Sequence, residues 1–270
     1  MTVELAVIPA AGRGTRMRPA TRAVPKSFLP LVDRPAIQWV IEEGIRAGVR
    51  EFILIVDPGL DDLVIGHFVG LEGYEDLVIT PVVQEQPLGL GAAVAEAEDA
   101  VDGRSFFCLL ADNLVVPGHD VLPGLAAASD GRSTMCLRRL DEEGLSRYGV
   151  VVPGAWLEDD VVEVVGAVEK PGPELAPSDL GFVGRYLFTS QVFGRLRGLD
   201  PGYGGEIQLT DAIGSLGADG SCLGYVSDHD LLDVGHPAGY LEAGTVLGLH
   251  HPVIGAGYRD AIKRALDEAP

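Results

Sequence analysis

The chain has 270 residues, enough for one large α/β domain, alone or with a small appendage, around a sizeable buried core. With 47% hydrophobic and only 22% charged residues it is not an intrinsically disordered protein. Acidic residues outnumber Lys and Arg by 40 to 20, a formal charge of −20, which argues against nucleic acid polymers and anionic membranes as partners and confines any phosphate site to a local pocket.

The opening residues MTVELAVIPAAG lack a basic region followed by a signal-length apolar core, and no apolar run approaches a membrane span. A first strand is expected at Leu5–Pro9, followed by a glycine-containing loop. A helix from about Pro35 places Ile37, Val40, Ile41 and Ile45 on one face, with Gly48 closing it, and a second strand follows at 52–56. Further strands are expected at Val78–Val83, 105–110 and 134–138, with helices near 90–100 and 121–128 between them. This alternation predicts a doubly wound, mostly parallel, Rossmann-like mixed sheet whose ligand crevice lies at the carboxyl ends of its strands.

The second half is richer in strands, at 149–152, 161–168 and 181–188, with helices after Ser190 and around 208–215; it reads as an extension of the same sheet. At the C-terminus Ile254, Tyr258, Ile262 and Leu266 recur every four residues, the stripe of an amphipathic helix that packs on the core or on a partner subunit in a homo-oligomer. The three cysteines, Cys108, Cys136 and Cys222, are far apart in apolar surroundings and form no CxxC pair, which fits a reduced cytoplasm.

The loop Ala10-Ala11-Gly12-Arg13-Gly14-Thr15-Arg16 directly follows the first strand, and its glycines let backbone N–H groups approach a phosphate. It is not a Walker loop, since no Gly-Lys-Ser/Thr follows at the required spacing. It is not G-x-G-x-x-G either, since Met17 holds the third glycine position. The six histidines show no HExxH spacing, and no Ser/His/Asp or Cys/His arrangement for a covalent nucleophile is recognisable.

The whole stretch 9–35, PAAGRGTRMRPATRAVPKSFLPLVDRP, resembles the signature of bacterial UTP–glucose-1-phosphate uridylyltransferases within the wider sugar-1-phosphate nucleotidylyltransferase family. Matching pieces follow in family order: Gln84 with Gly89-Leu90-Gly91, Leu110-Ala111-Asp112, Tyr148-Gly149-Val150-Val151, and Val168-Glu169-Lys170-Pro171. Then come Val183-Gly184-Arg185-Tyr186, the segment EIQLTDAI at 206–213, and Leu232-Asp233-Val234-Gly235. The resemblance implies a nucleotidyltransferase domain over 1–250, with its nucleotide-binding part about 1–130 and its sugar-phosphate part about 131–250, and a C-terminal helix over 251–270. The activity implied is attack of a sugar-1-phosphate, glucose-1-phosphate in this branch, on the α-phosphorus of UTP, giving UDP-glucose and pyrophosphate.

Two polyanions must meet in such a reaction, so it needs localised cations, a metal and backbone donors, and no covalent nucleophile. The chain carries three lysines, Lys26, Lys170 and Lys263, and the first two fall inside the family motifs. By resemblance, Arg16 and Lys26 bind the triphosphate and Lys170 the sugar phosphate. Ala10, Ala11, Gln84 and Gly89 face the base, with Gly12, Gly14 and Thr15 in the nucleotide loop. Gly149, Glu169 and Gly184 surround the sugar. Asp112 and Asp233 each follow an apolar run and are expected at strand ends of one parallel sheet, and the resemblance makes them the Mg²⁺ pair.

The sequence departs from the family at Arg18, where an apolar residue is usual, and in the short connection from Val56 to Val78. Asp230, in His229-Asp230-Leu231-Leu232-Asp233, stands in the place of a lysine. Two other readings therefore stay open. One is the same chemistry with dTTP or another triphosphate, or with a different sugar or cyclitol phosphate; the other is a non-catalytic nucleotide-sugar-binding regulator.

Overall fold

A computed structural model describes residues 2–12, 14–116, 118–229 and 231–268. The first strand, β1 (Leu5–Pro9), is apolar and wholly buried, as a strand covered on both faces must be. After the glycine loop, β2 (Pro30–Leu31) and β3 (Arg34–Pro35) form a small antiparallel hairpin leading into α1 (Ala36–Arg46). Helix α1 buries Ile37, Val40 and Ile41 as the spacing predicts, and Gly44 lets it sit down on β4 (Glu51–Val56): a Cβ there would lie 2.7 Å from the Phe52 ring. The 57–77 connection carries α2 (Asp61–Phe68) before β5 (Val78–Val83).

The predicted helix at 90–100 is two short ones, α3 (Leu90–Ala95) and α4 (Glu98–Val101), because a tight bond from the Ala97 N–H to the Val94 carbonyl breaks the α-helical ladder between them. The chain then forms β6 (Phe106–Leu109), β7 (Asn113–Val115), α5 (Leu122–Ala128), β8 (Ser133–Arg139) and α6 (Glu142–Arg147). Next come β9 (Gly149–Trp156), β10 (Val161–Glu169), β11 (Leu180–Phe188), α7 (Gln191–Leu196) and α8 (Leu209–Ala218). The last elements are β12 (Cys222–Val226), β13 (Leu231–Asp233), α9 (Pro237–His250) and α10 (Gly255–Glu268).

Nine strands make one sheet in the order β5-β4-β1-β6-β11-β8-β12-β10-β9. Pairing is parallel from β5 through β6 and again between β8 and β12, and antiparallel in the remaining pairs, so the sheet is mixed, with its doubly wound character in the first half. Side-chain alternation divides the core: Ala6 and Ile8 of β1 face one layer with α1, α2, α5 and α9, while Leu5 and Val7 face the other with α3, α4, α7 and α8. The chain runs from β1 outward to β4 and β5, then returns to the other flank of β1 as β6. A crevice opens at the carboxyl ends of β1 and β6, where the winding direction reverses.

One expectation is corrected. Asp233 does not end a strand of the large sheet: β13 pairs antiparallel with β7 in a separate two-stranded ribbon. Three-residue strands are too short to show a period, so the ribbon left no pattern to read. The C-terminal stripe is also only lightly packed, with Tyr258 against Gly248 of α9 while Ile254 and Leu266 stay exposed. Among the described residues no helix is long and apolar enough to cross a membrane.

Candidate active site

The glycine loop leaves β1 while still anchored to its neighbour, the Ala10 N–H donating to the Ile55 carbonyl of β4 at 2.8 Å. The Gly12 N–H donates to Asp57 Oδ2 at 3.2 Å, and a Cβ on Gly12 would meet nothing within 4 Å, so this turn of backbone faces open space. Gly14 has φ +51°, and a Cβ there would stand 3.0 Å from Thr21 and 3.1 Å from Lys26. Glycine is favoured on both counts. The Thr21 hydroxyl donates to the Gly14 carbonyl at 2.7 Å and fixes the loop's return. Arg13 of the same motif lies outside the described residues.

Two motifs distant in sequence form the opposite wall. Gly89 has φ +109°, and a Cβ on it would approach the Ile207 carbonyl oxygen to 2.8 Å. The Ile207 N–H donates to the Leu88 carbonyl at 2.8 Å, and the Gly91 N–H to the Ile207 carbonyl at 2.9 Å. Gln84, only 4% exposed, is held at the end of β5, and its Nε2 has no hydrogen-bond partner within the chain. An unpaired buried amide donor beside a cavity is a group waiting for an external acceptor.

Asp112 stands just beyond β6, between that strand and the β7–β13 ribbon. Lys26 Nζ contacts its Oδ2 at 2.5 Å. Burial on its own would raise the Asp112 carboxyl, but the Lys26 ammonium, aided by Arg16, holds it below its usual range, so the group is an anion at neutral pH. Asp233 sits opposite Asn113 in the ribbon, and the Val234 N–H donates to the Asp112 carbonyl at 2.8 Å. The Asp233 carboxylate accepts from the Gly235 N–H at 2.7 Å and from Arg147 Nη2 at 2.8 Å, with the Tyr148 hydroxyl at 3.4 Å. Burial, then the charge of Asp233, pushes the Tyr148 phenol up. A Cβ on Gly235 would stand 2.8 Å from Asp233 Oδ1, 3.1 Å from Arg16 Nη2 and 3.3 Å from Asp112 Oδ2. Both carboxylates and a guanidinium thus converge on one point that only glycine leaves open.

On the sugar-side wall, Gly149 of β9 pairs with Glu169 of β10. A Cβ on Gly149 would lie 2.7 Å from the Thr210 hydroxyl. The Thr210 hydroxyl donates to Glu169 Oε2 at 2.6 Å, and Lys170 Nζ contacts Glu169 Oε1 at 2.8 Å. Lys170 has φ +47° and places its ammonium 5.3 Å from the centre of the Tyr203 ring. Gly184 sits at a register shift of β11 with φ +84°, packed on Asn113 and Leu110.

These walls enclose two adjoining cavities. The larger, about 590 Å³, is lined by Ala10, Ala11, Gly12, Gly14, Thr15, Lys26, Gln84 and Gly89; the smaller, about 250 Å³, by Arg16, Gly149, Glu169, Lys170, Gly184 and Asp233. Both reach Leu90, Leu110 and Asp112, so they meet at that carboxylate. Every residue that the family resemblance places at the site lines one cavity or the other, with Arg16 on the side of the smaller. The sequence reading did not select Asn113, Arg147, Tyr148 and Thr210, which line the smaller cavity, or Glu206, which lines the larger. Tyr148, Glu206 and Thr210 lay inside quoted motifs; Arg147 ends α6, a six-residue helix too short to show a period. Asp230 lies outside the described residues.

A mixed sheet with a phosphate-suited glycine loop at its winding reversal, one carboxylate at the junction of paired cavities and a second beside it fits an α/β nucleotide-handling transferase. The chain belongs to the nucleotidyl transferase family, whose model matches residues 5–247. It is 33% identical to UTP–glucose-1-phosphate uridylyltransferase 2 of Streptococcus pyogenes serotype M3, over 93% of this chain and 92% of the relative. A UTP–glucose-1-phosphate uridylyltransferase of Streptococcus pneumoniae serotype 4 matches at 33% over 93% of this chain and 92% of that relative. Among solved structures, a UDP-glucose pyrophosphorylase complexed with UDP-glucose superposes with a TM-score of 0.85 at 31% identity, over 92% of this chain and 100% of that one. A UTP-bound UGPase from Acinetobacter baumannii superposes with a TM-score of 0.84 at 30% identity, over 97% and 99%.

Proposed function

We propose that this protein transfers the uridylyl group of UTP to glucose-1-phosphate, releasing pyrophosphate and forming UDP-glucose. The observation that carries this reading is the meeting of a nucleotide-sized cavity and a smaller polar one at Asp112. The relatives named as uridylyltransferases and the structures titled for UTP and UDP-glucose support the choice of substrates. In the reaction a phosphate oxygen of the sugar attacks the α-phosphorus in line. One P–O bond forms, the α–β anhydride bond breaks, and its electron pair leaves with pyrophosphate.

Gln84 offers its unpaired amide to the uracil edge, beside the Ala10–Ala11 backbone, while Gly12, Gly14 and Thr15 bring loop backbone to the phosphates. Lys26 lies at the floor of the nucleotide cavity and Arg16 beside both aspartates, where negative charge builds as pyrophosphate departs. Lys170 meets the sugar phosphate. Glu169, already oriented by Thr210 and Lys170, accepts from sugar hydroxyls near Gly149 and Gly184. Asp112 and Asp233 suit Mg²⁺: two carboxylates converge with no third His, Cys, Asp or Glu completing a metal cluster among the described residues, and Mg²⁺ takes one or two carboxylates with phosphate oxygens and water. Bound there, Mg²⁺ would supply positive charge to the phosphate oxygens. A cytoplasmic setting suits three thiols that are buried and unpaired.

The test is pyrophosphate release measured over a grid of triphosphates and sugar-1-phosphates. UTP with glucose-1-phosphate should lead, with little release from UTP alone. A clear preference for dTTP, or equal release without sugar phosphate, would overturn the assignment.

A further inference from the structure

Among the described residues the largest fully buried side chain is a charged one, Arg185, in the middle of β11 with 0% exposure. Its partner Glu43, on α1, is 1% exposed. Arg185 Nε donates to Glu43 Oε2 at 3.0 Å and Nη2 donates to the same oxygen at 2.7 Å. The remaining donors go to backbone carbonyls: Nη1 to Leu110 at 3.1 Å and Gly184 at 3.2 Å, and Nη2 to Asn113 at 2.5 Å. Every N–H of the guanidinium is used.

The three carbonyls are not scattered. Leu110 and Asn113 bracket Asp112 in the turn where the chain leaves β6 for the ribbon, and Gly184 forms the facing bulge of the sugar-side wall. Two of these carbonyls already carry a backbone bond, Leu110 from the Asn113 N–H at 3.4 Å and Gly184 from the Leu110 N–H at 2.9 Å; the planar guanidinium, fixed by a buried carboxylate, adds a second donor in a set geometry and reaches all three. As a source of stability alone, such a pair has no advantage over apolar packing, because burying two charges offsets most of their attraction. Its distinctive product is a tie between the two residues that flank Asp112 in the chain and the Gly184 bulge.

We propose that Arg185, held by Glu43, is a positioning residue that sets the Asp112 turn against the Gly184 bulge and so fixes the carboxylate for its cation. This rests on the reading of Asp112 and Asp233 as a cation pair. Arg185→Lys keeps the charge but loses the fork, Glu43→Gln keeps the shape but frees the guanidinium, and Val64→Ala in α2 serves as a control that thins the core away from the turn. Mn²⁺ is titrated into each protein with UTP present and no sugar phosphate, followed by electron paramagnetic resonance, alongside thermal melts and steady-state kinetics.

Both variants should bind Mn²⁺ about tenfold more weakly and lose about tenfold or more in kcat, as expected when the support of a metal ligand is removed. KM for UTP should stay within about threefold, since the glycine loop and the Gln84–Gly89 wall of the nucleotide cavity are untouched. The control should melt lower with wild-type Mn²⁺ affinity. Wild-type affinity and kcat in both variants, shifts no larger than the control's, or failure of both variants to fold would overturn the proposal. No Mn²⁺ binding by the wild type would overturn the aspartate reading itself and this proposal with it, whereas binding unchanged between wild type and variants strikes only the positioning role.

Discussion

Asp233 stands across the β7–β13 ribbon from Asn113, so its carboxylate flanks that of Asp112 although the two residues lie in opposite halves of the chain. Each is already matched with a cation, Asp112 with Lys26 and Asp233 with Arg147. Asp112→Asn or Asp233→Asn keeps the shape and removes the charge. Either change should lower turnover by about 10²-fold or more and raise the Mg²⁺ concentration needed for half activity. Magnesium titration of activity with UTP and glucose-1-phosphate, with circular dichroism to check the fold, is the measurement. A variant with wild-type rate and metal dependence would make that aspartate structural.

The two motif lysines line different cavities, Lys26 the larger and Lys170 the smaller. Lys26→Ala should therefore act mainly on use of UTP and Lys170→Ala on use of glucose-1-phosphate, each costing about 10²–10³ in kcat/KM, the scale of losing one charged transition-state donor. Kinetics with each substrate varied in turn will separate them, and equal effects on both substrates would mean that the cavities do not divide the reactants as assigned.

Gln84 offers a case in which stability and function should move apart. Its Nε2 is buried without a partner, so Gln84→Leu removes an orphaned donor and should leave the melting temperature unchanged or raised. The same change deprives the nucleotide of that donor, and KM for UTP should rise about tenfold, the equivalent of roughly 1.4 kcal/mol for one hydrogen bond. A variant that melts lower while binding UTP normally would show the amide to be a packing element.

Burial pushes the thiols of Cys108, Cys136 and Cys222 each up to about 12. Because the folded-state values are raised, all three remain protonated thiols through neutral and mildly alkaline pH, and the thiolate that reacts with disulfide reagents is scarce. Titration of the native protein near pH 8 should show no rapid modification, with all three cysteines reacting once it is unfolded. Fast labelling of any cysteine in the native state would contradict the packing around it.

How much was legible in the sequence depended on length and period. Strands such as Leu5–Pro9 and Val78–Val83 show as short runs carrying Val, Ile or Thr, and α1 announces itself by the spacing of Ile37, Val40 and Ile41. The three-residue strands β7 and β13 and the six-residue helix α6 show no measurable period, and with α6 went the reason to single out Arg147. The Gln208 backbone is extended at ψ 134°, so α8 begins one residue later than expected and runs on to Ala218. The two-cavity layout was readable only through motif order; what the sequence could not contain was that Gly89 and Ile207 touch, or that the two aspartates belong to a ribbon outside the sheet.

The unbroken run of nine strands beneath both cavities has a mechanical consequence. Hinged enzymes close by rotating separate bodies about a flexible link, but here the strands bearing the nucleotide loop and those bearing the sugar wall are stitched by backbone hydrogen bonds between β6 and β11. Substrate enclosure is then expected from rim segments such as the Tyr203–Gly205 turn. The molecule should keep its radius of gyration in X-ray scattering when both substrates bind, and product escape should be timed by loop motion instead of by the swing of a domain.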